Sequence, residues 1–389
     1  MNSTVSGPVR LAMVGGGQGA FIGAVHRAAA RLDGAWQLVA GAFSRDPDNC
    51  RQTGAELGLD PARCYASWED LLVGEARMAP DQRAECVAVV TPNHLHFPIA
   101  RAALEAGFHV MSDKPATRTL EEAEQLSEIV SRGQCLYGLT HTYLGYPMVA
   151  EARNLVASGK LGTVRKVYVE YLQGWLSGAA EAQGSKQAKW RTDPARSGAG
   201  GAIGDIGTHA FTLAEWVSGQ SVVSLAAQLN TFVEGRLVDD DAAALLRFDG
   251  GASGVLVSSQ VCTGEENGLQ IRVYGDRGGL HWKQMDPEVL LYRSADGQAR
   301  ILRAGVDQPL GQLALSRCRT PSGHPQGYIE AFANLYRDFA AAIRAGEQRT
   351  AQRVPGIGMG LRGMQFVDGM IDSHAGNGRW VNIQQEDKQ

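Results

Sequence analysis

Asp205 and His209 stand four residues apart behind the glycine-rich approach Ser197-Gly198-Ala199-Gly200-Gly201-Ala202-Ile203-Gly204. A carboxylate and an imidazole at that interval can make a proton-transfer station. If Asp205 opens a helix, the i,i+4 spacing sets both side chains on one face, where an acid and a base address a single substrate atom. The glycines remove bulk where something flat or large must come close, and a histidine beside a carboxylate titrates near neutral pH. Spacing alone leaves a second reading open, in which Asp205 is an ordinary N-cap and His209 is incidental one turn later.

Lys114 is a third group of this kind. The proline of Asp113-Lys114-Pro115 holds it out of helical geometry and projects it from a strand end. An ammonium there polarises an alcohol or carbonyl oxygen and lowers the pKa of a neighbouring acid or base. The alternative is a solvated turn lysine. Near the start of the chain, the apolar run from Val9 to Val14 ends in Gly15-Gly16-Gly17-Gln18-Gly19-Ala20, with helical patterning from Phe21 to Leu32. Gly15, Gly17 and Ala20 satisfy G-x-G-x-x-G/A, the turn that lets a pyrophosphate rest on the positive end of a helix. Gly15, Gly17, Gln18, Gly19, Ala20 and Phe21 are therefore candidate cofactor contacts. After the next strand, Trp36 to Phe43, an acid would bind the ribose hydroxyls of NAD. Ser44 and Arg45 stand there instead and suit a phosphate dianion, which tilts the expectation for an NAD(P) cofactor toward NADP. The bland alternative makes Arg45 a solvated charge and Asp46 a helix cap.

These residues need a frame. Strand patterns at Glu85 to Thr91, His109 to Ser112 and Cys135 to Thr140 alternate with helices at Leu95 to Ala106 and from a capping box at Thr119-Leu120-Glu121-Glu122 to Gly133. Repeated βα units imply a parallel sheet whose ligands bind at the carboxyl ends of its strands. That edge carries Gly15 to Ala20, Ser44-Arg45, Thr91-Pro92-Asn93 with His96 just beyond, and Asp113-Lys114-Pro115. Past His141-Thr142-Tyr143 and a helix from Pro147 to Ser158, Val164 to Leu172 alternates as a half-buried strand, and later alternating segments at Val222 to Phe232, Ala242 to Phe248, Ala252 to Val261 and Leu269 to Tyr274 suggest an antiparallel meander, with a hairpin turn at Asp249-Gly250-Gly251. The long excursion from Trp175 to Ala202 holds Trp190 and Arg191, suited to stacking on and hydrogen bonding a polyhydroxylated ring. His324 and Tyr328 precede a helix from Ile329 to Ala345.

The 389 residues, 44% hydrophobic and 20% charged, suffice for two cores. A net charge of -4 with no dense basic patch argues against nucleic acid as a partner. Six cysteines without a CxxC pair fit reduced thiols rather than disulfides or zinc, and no metal is expected. Residues 1–10 lack a signal-peptide pattern and no apolar run approaches about 18 residues, so the expectation is a cytoplasmic protein without membrane association. The polar end, residues 384–389, is expected to fray.

Taken together, the glycine turn, Thr91-Pro92-Asn93-His94, Asp113-Lys114-Pro115 and Gly204-Asp205-Ile206-Gly207-Thr208-His209 resemble, in order and spacing, the Gfo/Idh/MocA oxidoreductases, over nearly the whole chain. The resemblance implies an α/β fold, with an N-terminal Rossmann doubly wound parallel sheet over residues 1–141. A C-terminal α/β domain with a large, mostly antiparallel sheet would cover 142–389, its last helices packing back on the Rossmann domain. It also implies a homodimer or homotetramer assembled through that sheet. Carried over by position, Lys114, Asp205 and His209 are the catalytic set, and His141, Tyr143, Trp190, Arg191 and His324 join them as candidate substrate contacts. Asp113 replaces the commoner glutamate. The turn from Gly17 to His26 is longer than usual, leaving open which of Gly19, Ala20 and Gly23 packs on the pyrophosphate. The implied activity is oxidation of a secondary alcohol on a cyclic polyol or sugar, of the inositol, glucoside or anhydrosugar type. Two alternatives remain at this stage: an NAD-dependent glycoside hydrolase, and a dinucleotide-binding regulator without turnover.

Overall fold

The computed structural model describes residues 7–347 and 353–383, so the polar end at 384–389 lies outside the described residues. Two compact units are present: residues 1–140 with 332–361, and residues 141–331 with 362–389.

In the first unit, β1 (Val9–Gly15), α1 (Phe21–Leu32), β2 (Trp36–Ala42), α2 (Pro47–Glu56), α3 (Trp68–Ala76), β3 (Cys86–Val90), α4 (His96–Glu105), β4 (His109–Ser112), α5 (Leu120–Arg132) and β5 (Tyr137–Leu139) follow one another. The strands form a five-stranded parallel sheet in the order β2-β1-β3-β4-β5. Central β3, Cys-Val-Ala-Val-Val, is buried at every position, as a strand covered on both faces must be. Helix starts follow their caps: Asp46, Ser67 and Thr119 each accept from a first-turn amide. At Thr119 the capping box forms with a shift, because Glu122 N donates to Thr119 Oγ1 while the Glu122 carboxylate accepts from Arg118 N, one residue earlier than the motif requires. The Leu95 start of the fourth helix is corrected to His96, after a 3₁₀ turn over Asn93–Leu95. Residues 332–361 belong to this core: Trp36 Nε1 donates to Tyr336 O at 2.8 Å, and Leu139 N to Pro355 O at 2.8 Å.

The second unit begins with α6 (Pro147–Ala157) and β6 (Val164–Leu172). Two short helices, α7 (Lys186–Arg191) and α8 (Pro194–Ser197), interrupt the expected long excursion. A π-helical turn over Ile203–Gly207 then runs into α9 (Thr208–Ser218). Strands β7 (Val222–Asn230), β8 (Asp241–Phe248), β9 (Ser253–Ser259), β10 (Gly268–Gly275), β11 (Gly278–Lys283), β12 (Val289–Ser294) and β13 (Ala299–Arg303) follow, then α10 (Gln312–Ser316). Helices α11 (Tyr328–Ala345) and α12 (Ile357–Ala375), each divided between the two units, and the short β14 (Val381–Asn382) are the last described elements. The nine-stranded sheet is ordered β13-β12-β11-β10-β6-β9-β8-β7-β14.

The simple meander is corrected here: β6 lies between β9 and β10, parallel to β9 with Tyr168 opposite Val255, and antiparallel to β10. A parallel neighbour requires a crossover connection, and the segment through α9 supplies it. The Asp249-Gly250-Gly251 turn joins β8 to β9, with Gly251 at φ +84°. Helix α9 is buried nearly all round, as befits a helix inside a core; Phe211 stacks on Phe366 at 4.7 Å.

Candidate functional site

In the glycine turn after β1, Gly15, Gly16 and Gly17 stand where a side chain does not fit. Gly15 and Gly16 have φ of +87° and +73°, and a Cβ on Gly15 would lie 2.6 Å from Val90 O. One on Gly17 would meet Asn49 Oδ1 at 2.4 Å, and one on Gly23 would meet Gly16 Cα at 2.3 Å. Gly23 is thus the residue at which helix and turn approach most closely, while Ala20 occupies the N-cap of α1 and Gly19, at φ +79°, faces open space. Gln18 N donates to Asn49 Oδ1 and Thr53 Oγ1, both at 3.2 Å, which ties the turn to α2. Phe21 begins α1 and is 69% exposed. The first turn of α1 contains no acid, and its leading amides have no carbonyl within the helix to bond. An anionic pyrophosphate fits that end.

Around the same sheet edge, Ser44 Oγ accepts from Asp46 N at 3.1 Å, Asp46 caps α2, and Arg45 is exposed. Thr91, Pro92 and Asn93 follow β3, and Lys114 and Pro115 follow β4. His96 is buried and staples these two loops, Nδ1 lying 2.7 Å from Pro115 O and Nε2 2.8 Å from Thr91 O. Asp113 Oδ1 accepts from Lys114 N and Thr140 Oγ1, both at 2.9 Å. His26 Nε2 lies 3.9 Å from the same oxygen. Burial alone would raise the Asp113 carboxyl, but His26, Lys114 and His96 together hold it well below the usual carboxylate range. The backbone of Lys114 is therefore anchored by an ionised acid.

In the second unit, Asp205 is not an N-cap. It lies inside the π turn, a geometry often found at functional sites, and its Oδ2 accepts from Arg191 Nε at 3.1 Å and Gln260 Nε2 at 2.9 Å. The cap of this segment comes from afar. Asp239, buried at the β7–β8 connection, accepts from Gly201 N at 2.6 Å and Ile203 N at 2.9 Å, and its carbonyl accepts from Ala202 N. Burial lifts the Asp239 carboxyl to about 6; the two amides pull it back and neighbouring Asp240 adds to the rise.

The polar groups form one chain of hydrogen bonds. Trp190 Nε1 and Arg191 Nη1 both donate to Gln187 Oε1, and Arg191 sits over the Trp190 ring at 4.2 Å. From Asp205 the chain continues through Gln260 and Gln173 to Asn267, where Gln173 Nε2 donates to Asn267 Oδ1 at 2.9 Å. Tyr171 Oη donates to Asn267 Oδ1 at 2.5 Å, Asn267 Nδ2 donates to Tyr143 Oη at 3.2 Å, and the two phenols share a short hydrogen bond. Burial pushes both phenols above their ordinary values and keeps them neutral. Tyr143 packs edge-on against His209 with ring centroids 4.8 Å apart. His141 Nδ1 lies 3.4 Å from His209 Nδ1.

The fold thus joins Tyr143, Trp190, Arg191 and Asp205 in one network, with His141 and His209 packed at its Tyr143 end. His324 is exposed and turned toward Pro321 O at 3.3 Å, whereas its neighbour Tyr328 lies 6.3 Å from the Tyr143 ring. Sequence reasoning missed Gln173, Gln260, Asn267, Tyr171 and Asp239. Their types are common strand and turn residues, and only strand register brings them together. Asp239-Asp240 between two strands was the one available signal.

Comparison with known proteins agrees with this architecture. A model of an oxidoreductase family with an NAD-binding Rossmann fold matches residues 9–141, and a model of the Gfo/Idh/MocA C-terminal domain matches 149–281. The chain is 30% identical over 387 residues to the oxidoreductase YfiI of Bacillus subtilis, covering 97% of this chain and 98% of the relative. It is 25% identical to the levoglucosan dehydrogenase of Pseudarthrobacter phenanthrenivorans, covering 86% and 88%. Among solved structures, an inositol dehydrogenase homologue from Azotobacter vinelandii complexed with NAD+ superimposes with a TM-score of 0.92 at 39% identity, covering 98% of this chain and 100% of that one. The glycine turn, the parallel sheet and these matches lead to one conclusion: the chain is an NAD-binding oxidoreductase of the Gfo/Idh/MocA family.

Proposed function

We propose that the enzyme oxidises a secondary alcohol on a neutral cyclic polyol or sugar. The observation that carries this reading is the network of amides, phenols and one ion pair from Gln187 to Tyr143, into which the Trp190 and Trp175 indoles donate, to Gln187 and Gln173, with His209 against its Tyr143 end. Indole faces and amide groups suit a ring that is apolar on one face and hydroxylated at its edge. The relatives point the same way, one acting on levoglucosan and one solved with NADH and myo-inositol. In this reading His209 takes the hydroxyl proton, Lys114 stabilises the charge that develops on the oxygen, and Asp205 with Arg191 and Gln260 holds an adjacent hydroxyl. A bound nicotinamide nucleotide would supply the acceptor for the hydride of the carbinol carbon. The turn from Gly15 to Phe21 would hold the pyrophosphate, with Thr91, Pro92, Asn93, Asp113 and Pro115 shaping the rest of the nucleotide site. Ser44 and Arg45 would donate hydrogen bonds to the 2′-phosphate of NADP.

A screen of polyols and sugars with both NAD+ and NADP+, followed by absorbance of the reduced nicotinamide, tests the proposal. Net reduction with a cyclic polyol or sugar is expected. Arg45→Ala is expected to raise KM for NADP+ by about tenfold, the worth of one charge-assisted contact, with little change for NAD+. Absence of net reduction across the panel would overturn the reading.

Assembly into a homodimer or homotetramer is assigned to the open face of the nine-stranded sheet, where Leu245, Tyr274 and Ile301 are exposed at 51%, 40% and 61%. Light scattering in solution checks it; a monomer at micromolar concentration would refute it. The unpaired state of all six cysteines supports a reducing, cytoplasmic location, which cell fractionation tests.

A further inference from the structure

We propose that His141 fixes the tautomer of His209, so that His209 offers an unprotonated Nε2 to the substrate hydroxyl. The inference rests on the reading of His209 as the base.

The two Nδ1 atoms face each other at 3.4 Å, with rings nearly perpendicular at 87° and centroids 5.3 Å apart. A neutral imidazole has one N–H and one lone pair. Two facing Nδ1 atoms can hydrogen bond only if one carries the proton and the other does not, so two neutral rings bonded in this way hold opposite tautomers. If His209 donates from Nδ1, its Nε2 is a bare lone pair and His141 carries its proton on Nε2. The reverse assignment would put a proton on His209 Nε2 and disable it as a base there. Base chemistry at Nε2 therefore requires His141 Nδ1 to be the acceptor. The separation is at the long end for a hydrogen bond, as is common for catalytic contacts that tighten around substrate.

The surroundings hold both rings in register. His141 O accepts from Leu144 N at 3.0 Å, so His141 heads a short 3₁₀ turn, Thr142–Gly145, that also carries Tyr143. The Tyr143 ring lies against His209, pinned through its hydroxyl to Tyr171 and Asn267, and the Tyr171 ring is 6.2 Å from His209. Packing against Tyr143 sets the plane of the His209 ring, with its Nδ1 facing that of His141. Asp205 directs Oδ2 to Arg191 and Gln260. In the reaction the substrate hydroxyl gives its proton to His209 Nε2, the Nδ1–H stays in place, and its bond to His141 becomes charge-assisted and stronger. His141 is thus a positioning residue that acts through His209.

Long-range 15N–1H correlation on the full-length, 15N-histidine-labelled protein reads the tautomers directly among the nine histidines, with His141→Asn and His209→Gln used for assignment. His209 is expected to be protonated at Nδ1 and bare at Nε2, and His141 the reverse. In His141→Ala, His209 is expected to lose this preference and kcat to fall by about ten- to a hundredfold at unchanged KM, the scale seen when a partner that orients a functional histidine is removed. His141→Asn puts a carbonyl oxygen near the place of Nδ1, so it should restore both the His209 signature and most of kcat. A wild-type His209 protonated at Nε2 would overturn the proposal, as would equal impairment of the Ala and Asn variants. If the tautomers are as stated but His209→Ala keeps its turnover, the tautomer assignment stands and the base assignment falls.

Discussion

Replacing His209 with alanine is expected to lower kcat on a polyol or sugar substrate by about two to four orders of magnitude, the range lost with a general base. Without a base the alcohol must release its proton to water while the carbinol carbon gives up its hydride. Nucleotide affinity should stay as it was, because the glycine turn is supported by Val90, Asn49 and Thr53, which the substitution leaves in place. Fluorescence titration with the reduced nucleotide separates the two effects, and a thermal melt checks that removing a buried ring has not unfolded the variant. Turnover at the wild-type rate with nucleotide bound would remove His209 from the chemistry.

The second large effect is expected at Asp239, which no motif marks. Asp239→Ala leaves the Gly201 and Ile203 amides buried without their acceptor, at a cost of about 1–3 kcal/mol for each. Those amides begin the turn that carries Asp205, so kcat should fall as stability does. Amide hydrogen exchange at Gly201 and Ile203 is the direct check; protection equal to wild type would dismiss the clamp.

The same residue predicts a pH dependence. Burial raises the folded-state pKa of Asp239 to about 6, against an ordinary value of 3.8. The native state therefore keeps a proton that the unfolded chain releases between these values. The contribution of this group is full below about pH 4 and is lost as pH rises through about 6. Asp239→Asn, which cannot titrate, should flatten this part of the profile in denaturant unfolding measured between pH 4 and 7.

The frame of the first unit was legible because each of its signals is local. The apolar run at Val9, the positive-φ glycines and the Thr119 cap are satisfied within a few residues, so the five parallel strands and the helices between them follow from short-range patterns. Helix α1 matches its expected bounds, Phe21 to Leu32. Even there, Gly23 was recognisable as the close-packing glycine only once helix and turn were seen in contact, since the longer turn allows more than one alignment.

From its sequence alone this protein could be recognised as a Rossmann-type oxidoreductase with Lys114, Asp205 and His209 as its candidate chemistry, because residue type and spacing are properties of the chain itself. Tertiary structure decided how those groups are tuned. The parallel β6–β9 pairing, the Asp239 clamp, the Arg191–Asp205–Gln260 contacts and the facing imidazoles of His141 and His209 all join residues 14 or more positions apart. The partners of a buried polar group are set by which strands and turns pack together, and no local periodicity encodes that choice.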